Sequence, residues 1–210
     1  AGDMKNLAHM LHPFGIDSKP NLDFARQQSL LQLAEAEGKD PVEVYVERLL
    51  ASEGREFFNF WMFGGNLDNQ WKYMQLPHVV PMLGDAGAHV GFFTDTDSPT
   101  VLLSELTREQ GVYSLPEAVH RITGKSAAII GLKERGELRE GWHADINVID
   151  YEKLSTCHPE YVNDFPHGGG RFVVKGKGYD ATIVGGKVII KNGKHTCLLY
   201  TSPSPRDLYR

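Results

Sequence analysis

Hydrophobic residues recur at helical spacing near the start of the chain. Residues 21–37 carry apolar side chains that a helix would place on one side. These side chains are Phe24, Leu30, Leu31 and Ala34. Gly38 follows directly, and glycine often ends a helix because it adopts the left-handed backbone conformation without strain. The pattern predicts a helix over residues 21–37.

A second amphipathic helix is predicted after Asp40. Asp40 suits the N-cap, Pro41 suits the first helical position, and Glu43 stands three residues after the cap. Apolar residues then recur at i, i+3, i+4, i+7 and i+8: Val42, Tyr45, Val46, Leu49 and Leu50. This stripe is typical of a helix that packs one face against a core.

Ser114 and Glu117 have the spacing of a capping box, which predicts a helix that begins at residue 115. The residues predicted to face inward are Ala118, Val119 and Ile122. Those predicted to face outward are His120 and Arg121. Further helices are predicted over residues 69–76, 99–110 and 126–130.

Four segments have the composition of strands. Residues 57–63 are rich in aromatic side chains and predict a barrel strand, and residues 79–83 form the short apolar run of a buried parallel strand. Apolar and polar residues alternate over 146–150, as in a half-buried strand. Residues 182–191 predict a hairpin that turns through two glycines.

The candidate catalytic residue is Asp85, which follows the apolar run at 79–83. In β/α barrels, catalytic groups lie where strands end and loops begin. The neighbours Gly84, Ala86 and Gly87 are small and let other groups approach closely. An Asp between glycines is also a common turn former, so the segment by itself leaves both interpretations open.

Asn66 is a second candidate, in the loop 64–69 after the aromatic strand. If that strand is the penultimate strand of a barrel, the loop lies on the catalytic face, where Asn66 would contact substrate. An alternative is that the polar residues of this loop cap the helix at 69–76. The sequence favours the capping role without excluding the other.

Composition narrows the classes of function. The chain has 210 residues with a net charge of −5, and 41% of them are hydrophobic, which is ordinary for a globular protein. No basic stripe indicates a nucleic-acid partner, and no polybasic or long apolar run indicates a membrane. Cys157 and Cys197 do not form a disulfide framework, so a reducing, cytoplasmic compartment is favoured.

Two motifs carry a family resemblance. The sequence GDAGAH at positions 84–89 resembles the last-strand motif of the amidohydrolase superfamily, in the branch of the N-acyl-D-amino-acid deacylases (D-aminoacylases). Residues 131–145 resemble the passage G-L-x-x-R-G-x-L-x-x-G-x-x-A-D of that branch, where the chain leaves the barrel for a small β-domain. The resemblance covers about residues 20–196.

The resemblance implies an α/β fold: the C-terminal part of a TIM-like (β/α)₈ barrel, with part of a small β-sandwich domain. Residues 1–135 would belong to the barrel, and residues 136–196 to the β-domain, with an inserted loop at 151–178. Residues 197–210 resemble translated adaptor DNA and are expected to be non-native. A complete barrel needs roughly 250 residues, so the chain is expected to be the C-terminal portion of a longer protein.

The resemblance also implies a function: hydrolysis of a linear C–N amide bond, most simply in an N-acyl-D-amino acid, by metal-activated water. Asp85 would face the metal and serve as the base, and His89 would lie near the substrate. Zn²⁺ or another divalent ion is implied, and most of its ligands are expected in an N-terminal part outside these residues. Asp145 is expected to tie the domain junction, with no role in the chemistry.

Two alternatives accompany this prediction. The same superfamily contains cyclic amidases of the hydantoinase and dihydropyrimidinase kind, and the chain is also compatible with a non-catalytic binding or assembly module. As an isolated fragment it is expected to be inactive. The predicted partner is a small-molecule amide substrate, with neither nucleic acid nor membrane, and a homo-oligomer stays open.

Overall fold

The computed structural model describes residues 2–16, 19–20, 28–60, 67–81, 84 and 95–196. The chain divides into two compact units. The first comprises residues 1–70, 89–94 and 158–173, and the second comprises residues 71–88, 95–157 and 174–210. The predicted domain boundary at residue 136 falls inside the second unit, and the predicted domain assignment stays a prediction. No described helix has both the length and the apolar character needed to cross a membrane.

Among the described residues, helices predominate up to residue 129 and strands predominate after it. The α-helices are α1 (Gly2–Leu7), α2 (Leu30–Glu37), α3 (Pro41–Ala51), α4 (Leu67–Met74), α5 (Ser98–Val101), α6 (Leu115–Ile122) and α7 (Gly124–Ile129). A 3₁₀ turn at Asp95–Asp97 precedes α5, a π-helix at Leu102–Glu109 continues it, and a second 3₁₀ turn lies at Pro166–Gly168.

The strands are β1 (Leu11–Ile16), β2 (Lys19–Pro20), β3 (Glu56–Phe60), β4 (Ile146–Ile149), β5 (Ser155–Thr156), β6 (Glu160–Val162), β7 (Arg171–Val173), β8 (Gly176–Lys177), β9 (Tyr179–Val184), β10 (Lys187–Lys191) and β11 (Lys194–His195). Every strand pair within the described residues is antiparallel.

The first helix prediction is correct in its second half. Helix α2 begins at Leu30 because Ser29 and Gln32 cap it reciprocally: the Ser29 hydroxyl accepts from the Gln32 amide, and the Gln32 side chain accepts from the Ser29 amide. It ends at Gly38, whose φ of 66° is left-handed, as predicted. Phe24 lies outside the described residues.

Helix α3 forms as its sequence predicts. The Asp40 carboxylate accepts a hydrogen bond from the Val42 amide at 2.9 Å, and Pro41 takes the first helical position. Together with α2 it builds the core of the first unit, whose buried residues are Ala8, Leu30, Ala34 and Val44. The local capping signals are therefore enough to place this pair of helices.

The predicted strand at 57–63 is present as β3, but its pairing differs from that of a parallel barrel strand. It pairs antiparallel with β1, with Leu11 opposite Phe60 and Ile16 opposite Glu56. The β6–β7 hairpin lies in the same unit, and its Tyr161 ring is 4.9 Å from the Phe57 ring. The aromatic side chains of β3 are thus used in packing, as their strand spacing favoured.

The second unit joins helices to a four-stranded sheet. Its core consists of Leu102, Leu103, Leu106, Tyr113, Ala118 and Leu154. The sheet has the order β11–β10–β9–β4, and the β9–β10 hairpin turns through Gly185 and Gly186 with φ values of 55° and 76°. Both the alternating strand at 146–150 and the two-glycine hairpin are confirmed.

Two predictions in this unit are wrong. Arg121 was expected on the outer side of α6, yet it is 3% exposed, and Val119, expected inside, is 41% exposed. Residues 79–81, the described part of the predicted buried strand, lie in no strand. The Val79 amide instead donates to the Leu76 carbonyl in a turn. Arg121 is buried because backbone carbonyls of this turn surround its guanidinium.

Candidate functional site

The turn at residues 74–79 is a described segment that precedes the candidate catalytic motif at 84–89 in the sequence. This segment begins where α4 ends. The last carbonyl groups of an α-helix accept no hydrogen bond from an amide of the same helix. The Gln75 amide uses the Trp71 carbonyl and the Leu76 amide uses the Tyr73 carbonyl. Other carbonyls of the turn are left for donors from elsewhere in the unit.

Arg121 supplies those donors from α6. Its guanidinium donates to four backbone carbonyls and one carboxylate: Met74 (2.8 Å), Gln75 (3.1 Å), Leu76 (3.2 Å), Val79 (2.8 Å) and Glu117 Oε1 (2.8 and 3.0 Å). All three guanidinium nitrogens take part. The positive charge also lies at the C-terminal end of α4, where the helix dipole favours a cation.

Two further side-chain contacts hold the turn at residues 74–79. Lys125, on α7, donates its ammonium group to the Pro77 carbonyl. The side chain of Gln75 donates to the Val112 carbonyl at 3.4 Å. Residues 74–79 are therefore attached to α6 and α7 by side-chain donors on both sides of the Pro77 peptide.

Arg121 also stacks on an aromatic ring. Its central carbon lies 4.8 Å from the centroid of the Tyr113 ring, which belongs to the buried core of this unit. Burial raises the pKa of the Tyr113 hydroxyl above its ordinary value, while the charge of Arg121 acts in the opposite direction. The guanidinium is thus enclosed by carbonyls on one side and by a π face on the other.

The three residues assigned to the chemistry lie outside the described residues. These are Asp85, His89 and Asn66. Gly84, immediately before Asp85, is described, and so is Leu67 at the start of α4, immediately after Asn66. The assignments of Asp85, His89 and Asn66 therefore stay predictions.

Asp145 takes the structural position expected of it. One carboxylate oxygen pairs with Arg135, and the other accepts a hydrogen bond from the Gly185 amide at 2.9 Å. Asp145 thereby joins the segment before β4 to the β9–β10 turn. Both oxygens of this carboxylate are used in contacts that hold the fold, which fits a structural tie.

The described residues contain no group of three or more His, Cys, Asp or Glu side chains that could hold a metal ion. They therefore offer no complete ligand set for the zinc that the sequence resemblance implies. Asp85 is the ligand that the sequence assigns to this chain.

Arg121 and Val119 are the residues of α6 that the sequence prediction assigned to the wrong face, and Arg121 is the one with extensive contacts. Its position contained a usable signal, because residues three apart on a helix share a face and Ala118 was correctly placed inside. Arginine is seldom buried without partners, which favoured an outward position. The four carbonyl acceptors come from a turn more than forty residues away and leave no local pattern.

Comparison with known proteins settles the family. The model of the amidohydrolase family matches residues 24–190, which is more than half of the chain. The chain belongs to the amidohydrolase family. The matched range includes the capped helices α2 and α3, Arg121 with its contacts, and all but the last residue of the β9–β10 hairpin.

Two curated relatives each match part of this amidohydrolase. It is 49% identical over 51 residues to an N-acyl-D-aspartate deacylase of Alcaligenes xylosoxydans xylosoxydans, a match covering 24% of the chain and 10% of the relative. It is 36% identical over 94 residues to a dihydroorotase of Endomicrobium trichonymphae, covering 43% of the chain and 21% of that relative.

Solved structures of two amidohydrolases share the fold. A D-aminoacylase has a TM-score of 0.51 at 22% identity, over 91% of this chain and 36% of that one. An N-acyl-D-glutamate deacylase from Bordetella bronchiseptica, complexed with zinc and a phosphonate inhibitor, has a TM-score of 0.50 at 20% identity, over 90% and 36%. The chain therefore has the α/β fold of part of these enzymes, and it spans about a third of their length.

Proposed function

We propose that the full-length protein containing this chain hydrolyses the linear amide bond of an N-acyl-D-amino acid. The observation that carries this proposal is the family match over residues 24–190, and the GDAGAH motif at 84–89 supplies the carboxylate that the proposal assigns to the chemistry. The 49% identity to an N-acyl-D-aspartate deacylase supports the choice of substrate class.

In this proposal Asp85 transfers the proton. Its carboxylate accepts a proton from the attacking water, whose oxygen bonds to the carbonyl carbon of the amide. Asp85 then delivers the proton to the leaving nitrogen as the C–N bond breaks, which yields a carboxylate and a free amine. A divalent metal, when bound, lowers the pKa of water and polarises the carbonyl. His89 and Asn66 are assigned to orienting the substrate.

The test begins with the full-length protein, purified with zinc and assayed on N-acetyl-D-amino acids and their L-enantiomers. Asp85→Asn is the decisive variant, because it keeps the size of the side chain and removes the base. We expect turnover to fall by about 10²–10⁴-fold, the usual contribution of a general base, with the circular dichroism spectrum unchanged. Retention of full turnover by Asp85→Asn would refute the assignment.

The chain alone, residues 1–210, is proposed to be inactive. The described residues hold no cluster of metal ligands, and Asp85 is a single assigned ligand. The zinc content of the purified chain, measured by inductively coupled plasma mass spectrometry, tests this proposal together with an assay of deacylation. Stoichiometric zinc together with measurable deacylation by the chain would contradict the proposal.

A cyclic amide is the second candidate substrate, favoured by the match to a dihydroorotase over 43% of the chain. Ring opening uses the same proton transfers at Asp85 but does not release two separate products. Assaying the full-length protein with dihydroorotate and a hydantoin beside the N-acyl-D-amino acids separates the two candidates. A binding module would instead show no turnover with either class and no response to Asp85→Asn.

A further inference from the structure

Arg121 holds the turn that leads into the candidate catalytic motif. Val79, the last carbonyl it contacts, precedes Asp85 by six residues, and Gly84 stands directly before Asp85. We propose that Arg121 is a positioning residue of the hydrolase: it anchors residues 74–79, which precede Asp85 in the sequence, and turnover depends on this anchor. This inference rests on the proposed function of Asp85.

The contacts are too extensive for an incidental buried arginine. The guanidinium has five N–H groups, and six contacts to carbonyl and carboxylate oxygens engage all three nitrogens. Four of those contacts go to one short turn, so the planar guanidinium group fixes the turn in two directions at once. A single hydrogen bond would leave the turn free to rotate about it.

The buried charge is matched to its surroundings. The Arg121 side chain is 4% exposed, and its carboxylate partner Glu117 is 48% exposed, so the ion pair alone does not replace the water that the guanidinium loses. The carbonyl dipoles and the Tyr113 ring provide the remainder. Removal of the guanidinium would therefore take one donor away from each of four backbone carbonyls, all of them in the segment before Asp85.

Lysine cannot substitute for this arrangement. An ammonium group has three donors from one point, whereas the acceptors here are distributed around a planar fork. Arg121→Lys thus keeps the charge and most of the volume but gives up part of the carbonyl contacts. The variant separates the geometry of the anchor from its charge.

The chain offers a matched control in Arg108. Like Arg121, it donates from a helix to backbone carbonyls, those of Tyr151 (2.5 Å) and Glu152 (3.5 Å), and it lies over a tyrosine ring at 5.7 Å. These carbonyls belong to the segment after β4 and are remote in sequence from Asp85. Arg108→Lys therefore disturbs the same kind of anchor at a place unrelated to the catalytic motif.

The experiment measures kcat and KM per zinc-loaded molecule of the full-length protein. For Arg121→Lys we expect kcat to fall by about 10²-fold, the effect of displacing a reacting group by about 1 Å, with KM within about twofold because the substrate contacts are retained. For Arg108→Lys we expect both constants unchanged. An unchanged kcat in Arg121→Lys refutes the inference.

Chemical rescue adds a readout that a general loss of stability would not move. In Arg121→Ala, guanidinium ion at concentrations well below those that denature proteins should restore kcat and saturate, because it refills the site beneath the Tyr113 ring. Methylammonium should restore less, and neither ion should affect Arg108→Ala. Absence of guanidinium rescue in a folded, zinc-loaded Arg121→Ala contradicts the proposal.

Amide hydrogen exchange tests whether Arg121 anchors the turn, independently of the proposed hydrolase function. Exchange at the amides of Gln75, Leu76 and Val79 should rise in Arg121→Lys and stay unchanged in Arg108→Lys, whether or not the protein has the proposed activity. Inactive wild-type protein together with this exchange pattern refutes the proposed function, and the catalytic role of Arg121 with it, while retaining the anchor. Active wild-type protein with equal exchange in both variants refutes the anchor alone.

Discussion

The guanidinium of Arg121 lies against the ring of Tyr113, with 4.8 Å between its central carbon and the ring centroid. Tyr113 is 5% exposed, and its hydroxyl group is buried without a hydrogen-bond partner among the residues that the structure describes. The ring therefore serves Arg121 through its π face. Within the described part of the chain the hydroxyl makes no hydrogen bond, and burial takes away those it would make with water.

Removal of this hydroxyl should not destabilise the protein. Tyr113→Phe keeps the ring beneath Arg121 and eliminates a buried polar atom that lacks a partner. We expect the free energy of unfolding to stay unchanged or to rise by about 1 kcal/mol. Urea denaturation monitored by circular dichroism measures the difference.

Tyr179→Phe is the matched control for this prediction. Its hydroxyl hydrogen-bonds to the Thr100 hydroxyl at 2.8 Å, so the same atom is removed from a satisfied pair. We expect this variant to lose about 1 kcal/mol of stability because Thr100 is left without its partner. Equal losses in Tyr113→Phe and Tyr179→Phe would show that the Tyr113 hydroxyl has an unrecognised partner.

The raised pKa of Tyr113 predicts a specific dependence on pH. Burial favours the neutral phenol, so the native state holds this proton more tightly than the unfolded state does. The contribution is complete below the unfolded pKa of about 10 and is lost as the pH rises through the folded pKa. When the pH is raised from below to above about 10, the free energy of unfolding of the wild-type protein should fall by more than that of Tyr113→Phe. Parallel curves would contradict this.

The elements predicted correctly from the sequence are those determined by residues close together in the chain. Asp40 caps α3 two residues away, Ser114 caps α6 three residues away, and two adjacent glycines close the β9–β10 hairpin. Each signal acts through the backbone of its own turn. Local sequence is therefore sufficient for them.

The errors concern residues whose partners are distant in sequence. Arg121 is buried by carbonyls of residues 74–79, and β3 pairs antiparallel with β1, which lies more than forty residues earlier. Neither relationship leaves a periodic pattern near the residue itself. The motif that identifies the candidate site, by contrast, could be recognised at residues 84–89 because family motifs concern local sequence.

Two substitutions of Asp145 test how much its contacts with Arg135 and with the β9–β10 turn stabilise the protein. Asp145→Ala removes both the Arg135 pair and the acceptor for the Gly185 amide, and we expect a loss of about 1–2 kcal/mol. Asp145→Asn keeps an oxygen for Gly185 and should lose less than half as much, since partly exposed ion pairs contribute little. Thermal denaturation of the three proteins measures the series, and an equal loss in both variants would show that the charge dominates.

Two glycines with the same backbone conformation should respond differently to alanine. Gly178 and Gly141 have φ values of 88° and 82°, which disfavour any residue with a side chain. A Cβ at Gly178 would lie 2.7 Å from backbone atoms of Leu154, whereas one at Gly141 would have no atom within 4 Å. Gly141→Ala should therefore cost about 1–2 kcal/mol, the price of the left-handed conformation alone.

Gly178→Ala should cost clearly more, because the Leu154 backbone is part of the buried core and cannot move away without disrupting it. The Gly178 carbonyl also accepts from the Asp150 amide at 2.8 Å, so any displacement weakens the connection to β4. Urea denaturation of both variants gives the comparison. Equal losses would mean that the segment before β9 relaxes to admit a methyl group, and that the close approach at Leu154 does not constrain the fold.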